Sequence, residues 1–168
     1  MTKTWTRMSL LLAAALLAAL AGCAGGGANL VAGQSTAADV EKALGRPAEK
    51  VTVAGGESVW FYPTAPNGTS TRAARMRADG TLIGVEERLA PEYWSKIVPG
   101  RTTSKEAREL LGPPGSVTQS RATNGDAWTY KVLAENRFNY LTLSLSADGS
   151  TVSKVELILD PIYSGGAA

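Results

Sequence analysis

Gly33-Gln-Ser-Thr36-Ala-Ala-Asp39-Val40-Glu-Lys-Ala43-Leu44-Gly45-Arg-Pro47, followed by Trp60-Phe61-Tyr62, returns later as Gly100-Arg-Thr-Thr103-Ser-Lys-Glu106-Ala107-Arg-Glu-Leu110-Leu111-Gly112-Pro-Pro114, followed by Trp128-Thr129-Tyr130. Gly33, Thr36, Gly45 and Pro47 each recur 67 positions on, Trp60 and Tyr62 recur 68 on, and Asp79-Gly80 returns as Asp148-Gly149 at 69. A slowly drifting offset is what duplication followed by small loop insertions leaves behind. The chain therefore reads as two copies of one small module.

Each copy spells out a short helix. Thr36-x-x-Asp39 and Thr103-x-x-Glu106 match the capping box, in which a hydroxyl accepts from a first-turn amide and the acid suits the helix amino end. Val40, Ala43 and Leu44, like Ala107, Leu110 and Leu111, fall at i, i+3 and i+4 and form one apolar face. Gly45 and Gly112 are placed to end the helices in a left-handed conformation, and Pro47 and Pro114 prevent continuation. Before the second helix, residues 92–98 suggest a further helical turn or two. The first module has only Asn29-Leu-Val-Ala32 there, so its leading helix is truncated or absent.

Strands are expected at 51–53, 58–62, 72–78 and 82–88, and again at 116–119, 127–132, 138–146 and 152–159. The turns fall at Ala54-Gly55-Gly56, residues 63–68, Asp79-Gly80, Asn124-Gly125 and Asp148-Gly149. Leu141, Leu143 and Leu145 alternate with Tyr140, Thr142 and Ser144, the period of an antiparallel sheet with one covered and one open face. The expected fold is α+β: two tandem modules, each a short helix or helical pair packed on an antiparallel meander. Trp60 with Tyr62, and Trp128 with Tyr130, belong to the face under the helix as core aromatics, with ligand stacking as the alternative. The opposite face supplies the candidates for partner binding: Phe61, Arg75 and Arg77 in the first module, and Thr129, Tyr140, Thr142 and Ser144 in the second. Exposed aromatics and arginine suit a protein-binding surface; solvated strand residues of no special use are the alternative.

The amino terminus belongs to targeting. Lys3 and Arg7 precede an unbroken Leu/Ala run from Leu10 to Leu20, too short to span a bilayer and ending in Leu20-Ala21-Gly22-Cys23. That tetrapeptide resembles the bacterial lipobox, which implies acylation of Cys23 after cleavage and a membrane anchor. Cys23 is the sole cysteine, so disulfides are excluded. The seven residues from Cys23 to Leu30 reach at most about 25 Å, which keeps the folded part near the membrane. The organisation expected is a signal peptide over 1–22, a lipidated linker over 23–29, modules over 30–90 and 91–163, and a tail over 164–168. The precursor has 17 basic and 15 acidic residues, and losing Lys3 and Arg7 leaves 15 of each. Such a chain gives no warrant for nucleic-acid binding, which wants a basic stripe.

The chain contains no histidine. With no cysteine left for the fold, the usual zinc ligands and the usual nucleophile–histidine pairs are missing. Glu86, Glu87, Asp126 and Asp160 are scattered over expected edges and turns, and nothing pairs them for acid–base work. The expectation is a protein without catalysis, metal or cofactor.

The string from Tyr93-Trp-Ser-Lys96 through Gly100 to Leu111-Gly112-Pro-Pro114, then Trp128-Thr-Tyr130, resembles the SmpA/OmlA (BamE) family of outer-membrane lipoproteins. Gly33 to Pro47 with Trp60 and Tyr62 is a second, weaker match, and the resemblance covers nearly all of residues 30–160. It implies a small helix-on-meander lipoprotein facing the periplasm, working in outer-membrane β-barrel assembly or envelope integrity with barrel-assembly subunits as partners. The absence of aspartate after Cys23 favours the outer membrane by the same kind of resemblance. A tandem form of this fold is similar to the β-lactamase inhibitor proteins. That implies the alternative, a lipid-anchored inhibitor or sensor holding a periplasmic enzyme through its open sheet face.

Overall fold

The computed structural model describes residues 29–164; the expected signal peptide, the lipobox with Cys23 and all of the expected tail but Ser164 lie outside the described residues. Helix α1 spans Ala37–Leu44, and four strands follow: β1 Glu49–Thr52, β2 Ser58–Pro63, β3 Thr71–Met76 and β4 Leu82–Glu87. A short helical turn, α2 (Pro91–Trp94), leads into α3 (Ser104–Leu111). Then come β5 Ser116–Gln119, β6 Asp126–Ala134, β7 Arg137–Leu145, β8 Val152–Leu159 and a last turn, α4 (Pro161–Ser164). The strands form two four-stranded antiparallel sheets, β1-β2-β3-β4 and β5-β6-β7-β8. This is a small α+β fold of two modules.

The internal repeat extends to single hydrogen bonds. Thr36 Oγ1 accepts from Asp39 N–H while Thr36 N–H donates to the Asp39 carboxylate at 2.8 Å, and Thr103 and Glu106 do the same. Those amide bonds hold both carboxyls below their ordinary range. Gly33 N–H donates to the Leu82 carbonyl and Gly100 N–H to the Val152 carbonyl, each at 2.8 Å. Isolated bridges join Thr36 to Thr81 and Thr103 to Thr151, and both third strands bulge at matching places, Arg75/Met76 and Ser144/Leu145.

The helix-ending glycines differ from expectation in one respect. Gly45 (φ 82°, ψ −166°) and Gly112 (φ 78°, ψ −164°) have positive φ but extended ψ. The chain is thereby thrown directly into the next strand instead of curling through a left-handed turn, a conformation open essentially to glycine alone. A second difference lies between β6 and β7, where Glu135 and Asn136 make a tight turn with φ of 52° and 59°. No glycine marks it, so the sequence pattern leaves a gap there and no turn.

Two core clusters follow the two modules. Val40, Trp60, Tyr62, Ala74, Met76 and Leu82 form the first, with Leu30, Ala37 and Leu44 against it. Ala107, Leu111, Tyr130, Val132, Leu141, Leu143, Leu145 and Val152 belong to the second, which also takes Leu89 and Ile97 from the connecting segment. Tyr93, Trp94, Trp128 and Val155 pack against it. Trp60, Tyr62 and Tyr130 are thus core residues, and Trp128 packs half-buried at the edge of the second core.

Their hydroxyls are not equivalent. Buried Tyr130 donates to the Gly112 carbonyl at 3.1 Å, and burial raises its pKa strongly. The Tyr62 hydroxyl is buried with no hydrogen-bond partner. Tyr130→Phe should therefore cost about 1–2 kcal/mol by orphaning a buried carbonyl, and Tyr62→Phe should be neutral or slightly stabilising. Urea midpoints of the two variants test this; equal losses would contradict the assigned difference.

A third cluster, Val59, Phe61 and Ala73 with Val51 and Val53, occupies the opposite face of the first sheet. Gly112, at the end of α3, lies against the Phe61 ring so closely that a Cβ there would come within 2.5 Å of it. Around this contact Arg108 grips Glu49 through two nitrogens at 2.7–3.1 Å. Buried Arg88 pairs with Glu86 at 2.8 Å and Tyr93 donates to Glu86 at 3.1 Å. The second module is therefore docked on the face of the first sheet that alternation leaves uncovered.

Candidate functional site

That docking divides the sequence-expected site residues. Phe61 points away from Trp60 and Tyr62 as expected, but it is 0% exposed and serves as the floor of the module junction. Its proposed role in outside binding is corrected for that reason. Arg75 shares its face but is held in an ion-pair cluster with Glu57 at 2.9 Å and Glu86 at 3.5 Å. Arg77 lies beyond the end of β3, exposed beside Glu57 and Asp79 at the 79–80 turn, so it does not share a strand face with Arg75.

The second sheet keeps its corresponding face open. Antiparallel register places Thr129 beside Thr142 and Glu156, Lys131 beside Tyr140 and Ile158, and Ala127 beside Ser144 and Lys154. Thr129, Tyr140 and Thr142 are brought together half-exposed, with 3.5 Å between the two threonine hydroxyls. Ser144 is on the same face but buried at the β7 bulge, which corrects its expected exposure. Leu133 and Ile158 are 46% and 52% exposed on this face, with Phe138 half-buried across from Leu133.

Electrostatics at the centre are set by Lys131. Its ammonium stands 3.4 Å from the buried Asp160 carboxylate, 5.1 Å from the Phe138 ring and 6.0 Å from the Tyr140 ring. The other Asp160 oxygen accepts from Ile162 N–H. At the face's rim the β2–β3 loop of the first module approaches Gly115 so closely that a Cβ at that position would lie 3.4 Å from Ala65. Pro66 and Asn67 from that loop, with Ser116, Thr129, Lys131 and Tyr140, line a cleft of about 270 Å³. The face thus carries hydroxyls, two rings, exposed aliphatics and one cation already paired within the fold. Glu156 stands beside Thr142 on this face, and among the described residues no group of three metal-ligating side chains converges.

Sequence reasoning missed Lys131, Leu133, Phe138 and Ile158, although strand parity with Thr129 and Tyr140 would have found them. Pro66 and Asn67 carried no such signal, because only the packing of one module on the other brings that loop to the cleft.

No protein-family model and no curated protein matches the chain. Among solved structures it is similar to a DUF4309 family protein, YjgB, from Bacillus subtilis. Sequence identity is 22%, over 79% of this chain and 83% of that one, with a TM-score of 0.30. A likeness at that level carries no argument about fold or role.

Proposed function

We propose that this protein is an outer-membrane-anchored periplasmic lipoprotein that acts as a non-catalytic binding scaffold in β-barrel assembly or envelope integrity, with each module a BamE-like helix-on-meander unit. The observation that carries the reading is the asymmetry between the two sheets. One uncovered face is used to join the modules, and the other keeps Leu133 and Ile158 exposed and Phe138 and Tyr140 half-exposed. Exposed apolar strand residues rimmed by polar ones are the usual composition of a protein contact surface. Acylation of Cys23 would hold that surface beside the membrane, each buried lipid methylene contributing about 0.8 kcal/mol.

A pull-down from detergent-solubilised envelope tests it. The parent chain is expected to recover barrel-assembly subunits, and Tyr140→Ala with Ile158→Asp to lose at least about nine-tenths of that recovery while keeping the fold. Cys23→Ser should move the protein to the soluble fraction. The cleft beside Pro66 favours a second reading, in which a compact periplasmic enzyme inserts one side chain there. Recovery of one soluble enzyme would select that reading, and recovery of neither class would argue against both.

A further inference from the structure

Residues 89–97 fill a place in the second module that the described residues of the first leave open. Leu89 and Ile97 are buried in the second core, and Tyr93 and Trp94 pack against it. The matching glycine bonds, Gly33 to Leu82 and Gly100 to Val152, fix the correspondence ahead of each helix at 67 positions. Leu30 then stands where Ile97 does, and by sequence position the counterparts of Tyr93 and Trp94 are Gly26 and Gly27, glycines outside the described residues. Beside α1 and β4 lies a pocket of about 430 Å³, its walls including Leu30, Leu44, Leu82 and Val85. Val85 is 40% exposed, whereas its counterpart Val155 is packed against the second core.

Charge sharpens the comparison. Tyr62 pairs across the sheet with Arg72 just as Tyr130 pairs with Leu141. A guanidinium thus lines the first pocket where the second module has a fully buried leucine. Arg72 makes no ion pair among the described residues, and the neighbouring Tyr62 hydroxyl is buried without a partner. A pocket whose aliphatic wall ends at an exposed guanidinium with no ion-pair partner among those residues suits an apolar group that brings an anion.

We propose that this pocket receives a short helical segment of a partner protein, completing the first module in trans as residues 89–97 complete the second in cis. The segment would present aromatic side chains from one helical turn and an aliphatic one just after it, as Tyr93, Trp94 and Ile97 do, and a carboxylate within reach of Arg72. This site is separate from the open face of the second sheet, so either can fail without the other.

The probe is a fluorescein-labelled peptide with the sequence of residues 89–98, which carries Glu92, Tyr93, Trp94 and Ile97. It is titrated into the full chain in detergent and followed by anisotropy and hydrogen exchange. Saturable binding is expected, with exchange slowed at residues 29–32 and 82–85. Val85→Asp should weaken it about tenfold or more, and a peptide with Tyr93 and Trp94 replaced by alanine should bind at least tenfold more weakly. Arg72→Ala should weaken it about threefold or more, as loss of a charge-assisted contact would. Absence of saturable binding, or slowed exchange confined to the second module, would overturn the proposal. So would Val85-dependent self-association without peptide, which points to a second copy. Protection of the pocket without peptide that vanishes in Cys23→Ser would overturn it too, because the occupant would then be the lipid anchor.

Discussion

Gly112→Ala is expected to lower stability by about 3 kcal/mol or more, through glycine-only backbone strain together with overpacking. Gly45→Ala, with nearly the same dihedral angles, should cost about 1–2 kcal/mol. Both glycines need the same positive φ, so strain alone predicts equal losses. They differ in their surroundings: a Cβ at position 45 meets nothing within 4 Å, and one at position 112 meets Phe61 atoms at 2.5 and 2.8 Å. Phe61 is fully buried and cannot move aside. In a Phe61→Leu background the penalty at position 112 should fall toward that at position 45, because the two changes share one contact. Urea denaturation of the four variants measures this. Equal losses at the two glycines would mean that the junction is not closed by that ring.

The second large effect is expected at Glu86. Its carboxylate meets buried Arg88 at 2.8 Å, Arg75 at 3.5 Å and the Tyr93 hydroxyl at 3.1 Å. Glu86→Ala leaves the Arg88 guanidinium buried with its Nε already unpartnered, and should cost about 3 kcal/mol. Arg75→Ala removes a more exposed partner and should cost less than about 1 kcal/mol. Glu86→Leu combined with Arg88→Met should recover most of the loss, since a buried ion pair replaced whole by apolar groups is often neutral. A double variant as unstable as Glu86→Ala would show that the pair itself, and not the orphaned charge, sets the cost.

Helices α1 and α3, their amino-terminal caps and all eight strands were legible in the sequence to within a few residues, and β5 and β8 fell on their expected bounds. The signals were local: capping boxes, apolar spacing at i, i+3 and i+4, and alternation. Asp-Gly turns were readable for the same reason. The Glu135-Asn136 turn was not, because Asn136 is followed by arginine and no glycine announces the positive φ. The candidate site was half legible. Thr129, Tyr140 and Thr142 do share a face, as parity requires, but parity could not tell which of two equivalent faces stays accessible.

Taken alone, the sequence determined that one unit is built twice and which way each strand residue points, because helix and strand periods are properties of neighbouring residues. Tertiary structure alone decided that Phe61 is a floor and Tyr140 a surface. That outcome depends on Gly112, Arg108 and Tyr93 closing on residues 51, 59 and 7 positions away, at Phe61, Glu49 and Glu86. A contact formed by docking one module on another leaves no period in the chain, so only the folded arrangement contains it.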